Sequence, residues 1–150
     1  MMEVRNIHKR FGKQEVLKGI DMDVAKAEVV TLLGPSGSGT TTFLRCLNFL
    51  ERADEGSILL GETETIVNKA NPKEILAHQR QTAMVFQNYA LFHNKTAREN
   101  IVMPLLLTKK RTKQEAYDLA DALLEQVGLT ERKDFYPSQL SGGQQQRIGI

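Results

Sequence analysis

The residues best placed to do chemistry form the run Gly34-Pro35-Ser36-Gly37-Ser38-Gly39-Thr40-Thr41-Thr42. Glycines at 34 and 39 and a hydroxyl at 41 fit the spacing G-x-x-x-x-G-K-[ST] of a loop that cradles phosphates, except that Thr40 stands at the lysine position. In such a loop the glycines let backbone N–H groups turn inward around phosphate oxygens. The helix that follows adds the partial positive charge of its N-terminus. Thr41 can offer its hydroxyl to a Mg²⁺ ion bridging the terminal phosphates. What is missing is the ammonium that reaches the β and γ phosphates. A hydrogen bond to a charged group contributes roughly 1.5–3 kcal/mol, so nucleotide binding is expected to weaken by about one to two decades. Phosphoryl transfer should suffer more, because the same charge stabilises the transferring group and Thr40 is too short to replace it. A dinucleotide-binding G-x-G-x-x-G is set aside, since Gly37-Ser38-Gly39-Thr40-Thr41-Thr42 lacks the last glycine.

A second set of residues lies far downstream, in Leu140-Ser141-Gly142-Gly143-Gln144-Gln145-Gln146-Arg147. A serine and two glycines opening a helix make another anion-binding start, with the Ser141 hydroxyl and the Gly142 and Gly143 amides as donors. Taken alone it is also simply a well-capped helix.

The elements that must hold these residues follow from patterning. Glu3 to Ile7 and the strictly alternating Ile20 to Val24 predict half-buried strands joined through Phe11-Gly12-Lys13, an antiparallel opening. The nearly all-apolar Glu28 to Leu33 predicts a central strand covered on both faces, running into the glycine loop. Phe43, Leu44, Leu47 and Leu50 then predict one apolar helical stripe. Gly56 to Leu60 and Ala83 to Phe86 read as further strands, and Asn71-Pro72 caps a helix through about residue 80. Thr96-Ala-Arg-Glu99 and Thr112-Lys-Gln-Glu115 are capping boxes ahead of helices. The second of these helices places Ala116, Leu119, Ala120, Leu123 and Val127 on one face and stops at Gly128. The fold class expected is α/β: a partial P-loop nucleotide-binding domain with an N-terminal antiparallel β element and a helical subdomain. Residues 1–92 would form the β element and phosphate-loop core, and 93–150 the helical part.

Composition narrows the partners. A chain of 150 residues, 41% apolar and 25% charged, has room for one domain with a real core. The net charge of +2 arises from 20 basic and 18 acidic residues without a basic block, which gives nucleic acid binding no support. The single cysteine, Cys46, sits in an apolar pattern and reads as a small buried hydrophobe, compatible with a reducing cytoplasm. Charged residues interrupt the N-terminus, so no signal peptide is expected. Val102 to Leu107, broken by Pro104, falls far short of the ~20 apolar residues of a membrane span.

Together, GPSGSG and LSGGQ at this separation resemble the phosphate loop and signature sequence of ATP-binding cassette ATPases. Within that family RNIHKRFGKQEVLKGI, TTTFLRCLNFLE, DEGSI, QTAMVFQ and YPSQLSGGQQQR look like the importers of polar amino acids, and the likeness covers essentially the whole chain. The resemblance implies that Phe11 stacks on adenine and that Gln87 contacts Mg²⁺ and the attacking water. It also implies ATP and Mg²⁺ as cofactors and a head-to-tail dimer with a second ATPase subunit, in which Ser141, Gly142, Gly143 and Gln144 serve the partner's nucleotide. A transmembrane permease subunit would dock on the helical segment after Gln87, with an extracytoplasmic substrate-binding protein acting indirectly. The place implied is the cytoplasmic face of the cell membrane.

The family pattern continues past the signature helix to a Walker B aspartate, a catalytic glutamate and a switch histidine. None of these lies in the 150 residues, so the chain is expected to correspond to the N-terminal portion of such a subunit. His8, His78 and His93 lie upstream of the signature and read as surface or packing residues. Val29 to Leu33 would then present an exposed sheet edge, which predicts low stability. Two alternatives stay open: a non-catalytic module that lends its signature motif to an intact ATPase, and a cassette ATPase outside transport.

Overall fold

The computed structural model describes residues 1–108 and 111–150, which form two compact units, Met1–Met84 and Val85–Ile150. In the first unit, β1 (Met2–Phe11) and β2 (Gln14–Val24) form a hairpin that turns through Gly12-Lys13 and closes on the pair Phe11–Gln14. β3 (Glu55–Leu60) adds antiparallel to the other side of β1, and β4 (Thr63–Ile66) follows it, giving the sheet order β2-β1-β3-β4. Patterning does not announce β4, a short edge strand.

β1 does not keep strict alternation. Val4 and Ile7 are both fully buried, three residues apart, because the ladder shifts register between them. Asn6 takes φ 52° in that bulge, and its amide donates to Asp21 Oδ1 at 2.8 Å. The extra residue returns Ile7 to the core face, where it joins Leu17, Ile58 and Val67. One helix, α1 (Thr40–Leu47), lays Phe43 and Cys46 into the same core.

The stripe expected on α1 does not form as predicted. Leu44 and Leu50 are exposed, and α1 ends at Leu47, so Leu50 is not on it. Phe43 and Cys46 face the sheet, while Leu44 borders an open apolar groove with Val30, Leu32 and Leu47. α2 (Pro72–Gln79) begins as expected, with Asn71 and Glu74 forming a reciprocal capping box.

Two expected strands are absent. Neither Glu28 to Leu33 nor Ala83 to Phe86 belongs to a strand. A strand requires a ladder partner, and among the described residues neither segment has one; an apolar run determines what can cover it, not what pairs with it. Val29 and Leu33 are accordingly 91% and 90% exposed, whereas Leu32 packs on the core.

The second unit is helical. α3 (Ala97–Leu107), α4 (Lys113–Gln126) and α5 (Gly142–Gly149) each start with a capping box, at Thr96/Glu99, Thr112/Glu115 and Ser141/Gln144. α4 ends as expected, with Gly128 at φ 69°. α3 and α4 meet through Val102 and the small residues Ala116 and Ala120; Leu124 continues the buried face of α4, while Leu123 is exposed. Short 3₁₀ turns at Thr130–Arg132 and Pro137–Gln139 lead to α5, whose Ile148 packs with Leu124, Leu129 and Leu140. No described helix is long and apolar enough to cross a membrane.

Candidate functional site

The glycine loop runs from Gly34 into α1. Pro35 O accepts from Ser38 N at 3.0 Å, tightening the loop, and Gly39 O accepts from Phe43 N at 2.8 Å, closing the first helical turn. Gly39 itself is left-handed at φ 95° and gives α1 no side-chain cap. The first amides of α1, at Thr40, Thr41 and Thr42, thus lack the capping oxygen that each of the other four α-helices supplies. A phosphate group is the chemistry such an end accepts.

Gly39 also touches β2. A Cβ there would lie 2.8 Å from Val16 Cγ1 and 3.3 Å from the Val16 carbonyl oxygen. Close approach and positive φ both require glycine at this point. Val16 and Phe11, with Leu32 through Thr42, line one open cleft of about 560 Å³. The structure therefore brings Phe11 to the loop, 48% exposed, with Lys9 Nζ 5.0 Å from its ring centroid. Val16, Leu32 and Leu33 are lining residues that sequence reasoning missed. The signal for Val16 was its place on β2, five residues after Phe11; Leu32 and Leu33 directly precede Gly34.

Charge is where the site departs from the pattern. The Thr40 hydroxyl shares a 3.0 Å hydrogen bond with the Ser38 hydroxyl, a neutral pair where the ammonium would stand. Lys9 is no substitute, because its Nζ is pinned 2.6 Å from Glu51 and donates to Arg52 O. Among the described residues no protein group bonds the Thr41 hydroxyl, which suits a ligand to Mg²⁺. Behind the loop, burial pushes the Cys46 thiol up to about 11, so it is a packing group and not a thiolate nucleophile.

The remaining predicted site residues, Gln87 and Ser141 to Gln144, belong to the second unit. Gln87 is exposed and opens a turn over residues 87–90. Ser141 caps α5: its Oγ accepts from Gln144 N at 3.3 Å, while Gln144 Oε1 accepts from Ser141 N at 2.9 Å. This leaves the Ser141 hydroxyl proton and the Gly142 and Gly143 amides as the donors at that helix start. His78 is a packing residue, hydrogen-bonded through Nε2 to Leu47 O and edge-on to Phe49, and His8 lies between Glu15 and Asn6.

The sequence pattern described as ABC transporter matches residues 17–150. The chain belongs to the ABC transporter family. The L-cystine import ATP-binding protein TcyN of Bacillus subtilis is 53% identical over all of this chain and 58% of its own length. The glutamine transport ATP-binding protein GlnQ of Escherichia coli is 45% identical, again over the whole chain and 61% of the relative. This ABC chain thus spans about three fifths of the curated relatives it matches. A bacterial ABC transporter cassette solved as a dimer superposes with a TM-score of 0.82 at 31% identity, over 100% of this chain and 67% of the other. Another structure of the same cassette, a dimer in a post-hydrolysis state bound to ADP and Pi, gives 0.82 at 29% identity, over 99% of this chain and 67% of the other. The fold expected from sequence, a partial ABC ATPase domain with an antiparallel β element and a helical subdomain, is the one found. ABC proteins are ATPases as a family and bind ATP, generally with Mg²⁺.

Proposed function

We propose that this chain contributes the nucleotide-binding part of an ATP-binding subunit in an ABC importer of polar amino acids. The observation that carries the reading is the uncapped start of α1 opening on a cleft that also holds Phe11. Gly34 to Thr42 would hold the phosphates of ATP, Thr41 would ligate Mg²⁺, and Phe11 would stack on the adenine. Bound ATP and Mg²⁺ supply the phosphoryl group and the charge that balances it; the chain supplies amides, a hydroxyl and an aromatic face. Gln87 is assigned to Mg²⁺ and the attacking water. Ser141, Gly142, Gly143 and Gln144 are assigned to the nucleotide of a second ATPase subunit in a head-to-tail dimer.

In the same reading the helical unit docks on a transmembrane permease subunit, which places the chain peripherally on the cytoplasmic face of the membrane. An extracytoplasmic substrate-binding protein acts through the permease. The names of the relatives, cystine and glutamine importers among them, support the class of polar amino acids. Binding without efficient turnover is expected, since Thr40 places no charge on the γ phosphate.

The test is a titration of the 150-residue chain with a fluorescent ATP analogue, with and without Mg²⁺. Saturable binding, weakened about tenfold in Phe11→Ala because an aromatic–base stack is lost, supports the reading. Absence of saturable binding at millimolar nucleotide overturns it.

A second reading has one observation in its favour: α5 carries a complete capping box with two glycines at its start, while a neutral Ser38–Thr40 hydroxyl pair stands where the phosphate loop would carry its charge. The chain would then lend its signature motif to an intact ATPase. Co-purification with a full-length ATPase and its permease supports this, and recovery only as an aggregate rules it out.

A further inference from the structure

The turn that opens with Gln87 contains two consecutive non-glycine residues in the left-handed region, Tyr89 at φ 62° and Ala90 at φ 51°. Side chains with a Cβ rarely adopt this conformation, and it persists only where the surroundings hold it. What holds Tyr89 is α5. A Cβ added to Gly142, the first residue of that helix, would lie 2.6 Å from the Tyr89 hydroxyl oxygen. A Cβ on Gly149, the last residue, would lie 2.6 Å from the Tyr89 carbonyl oxygen. Tyr89 therefore spans α5 from end to end, and at both contact points the helix has no side chain.

We propose that Tyr89 is a positioning residue for the signature helix. Its ring and hydroxyl fix where the Gly142 and Gly143 amides stand, and its left-handed backbone ties that position to the conformation of the Gln87 turn two residues before it. The assignment of those amides to a nucleoside triphosphate rests on the function proposed above; the clasp between Tyr89 and α5 does not. Gly142 of the motif thus serves Tyr89 as well as a ligand: it is small so that the tyrosine can reach across the helix start.

A double-mutant cycle read by amide hydrogen exchange of residues 143–148 in the 150-residue chain tests this. In the wild-type background Gly142→Ala should lower protection about tenfold, because the new methyl strikes the hydroxyl. In Tyr89→Phe the methyl would meet only the ring carbon Cζ, 3.5 Å away, an ordinary contact. There Gly142→Ala should raise protection about three-fold, since alanine favours the helix over glycine. Gly149→Ala should lower protection in both backgrounds, because the atom it strikes is backbone. An effect of Gly142→Ala with the same sign in both backgrounds overturns the proposal. If Gly142→Ala alone does not fold, recovery of a folded chain in the Tyr89→Phe, Gly142→Ala pair supports it, and failure of the pair overturns it. Nucleotide titration of the wild-type chain judges the function reading separately, so the two failures are distinguishable.

Discussion

Gly39 packs against Val16 so closely that the phosphate loop and β2 share one van der Waals surface: a Cβ at Gly39 would come within 2.8 Å of Val16 Cγ1. Gly39→Ala therefore meets two obstacles, the contact and a φ of 95°, whereas Gly37→Ala meets only φ 84°, with nothing within 4 Å of the new methyl. Gly39→Ala is expected to destabilise the first unit by about 2–4 kcal/mol and Gly37→Ala by about 1–2 kcal/mol. Adding Val16→Ala should recover part of the first loss. Equilibrium unfolding of the three variants checks the order, and equal losses at both glycines would show that the β2 contact is immaterial.

Thr40→Lys should tighten binding of an ATP analogue about ten- to a hundred-fold, by restoring a charged donor at the end of the glycine loop. The hydrogen bond it removes, between the Ser38 and Thr40 hydroxyls, is a neutral and exposed one and offsets little of this. The gain should shrink with added salt, as expected for an exposed charge. Unchanged affinity would mean that the loop does not present position 40 to the phosphates.

What the sequence made legible was local chemistry. Asn71, Thr96, Thr112 and Ser141 each announce a helix because the cap and the residue it bonds are three apart, and all four caps form. The glycine loop is legible for the same reason. What failed depended on partners distant in the chain. Glu28 to Leu33 has the composition of a central strand but has no ladder partner among the described residues, and the bulge at Asn6 requires Asp21 fifteen residues away. Val16 enters the site only because β2 passes behind Gly39, and Tyr89 touches Gly142 and Gly149 through folding that no nearby residue encodes.

Asn100 organises the entry to α3. Buried, it donates through Nδ2 to Phe92 O, Lys95 O and Thr96 O, and its Oδ1 accepts from Phe92 N at 2.7 Å. Asn100→Ala should destabilise the second unit by about 2–4 kcal/mol, since several backbone groups lose their partner at once. Asn100→Asp keeps the acceptor but aims a carboxylate at three carbonyl oxygens, and should be at least as damaging at neutral pH. Urea unfolding followed by amide exchange in residues 85–150 measures both; an Asn100→Ala loss below about 0.5 kcal/mol would show that water replaces the side chain without penalty.

Cys46 gives the chain a pH dependence of stability whose sign is fixed by burial. Burial pushes the thiol up to about 11 in the folded chain, against an ordinary value of 9.0 taken for the unfolded one. Below the unfolded value both states hold the proton and the contribution is constant. As pH rises from there towards the folded value, the unfolded chain releases a proton that the folded chain retains, so stability falls, by up to about 3 kcal/mol over the window. Cys46→Ala removes this slope but leaves those of the lysines and tyrosines, so the informative quantity is the difference between the two chains. The wild type should lose about 1–2 kcal/mol more than Cys46→Ala between about pH 7 and about pH 10. The same burial predicts that thiol reagents label Cys46 at the rate of global or sub-global opening, and labelling that is fast at neutral pH would contradict both expectations.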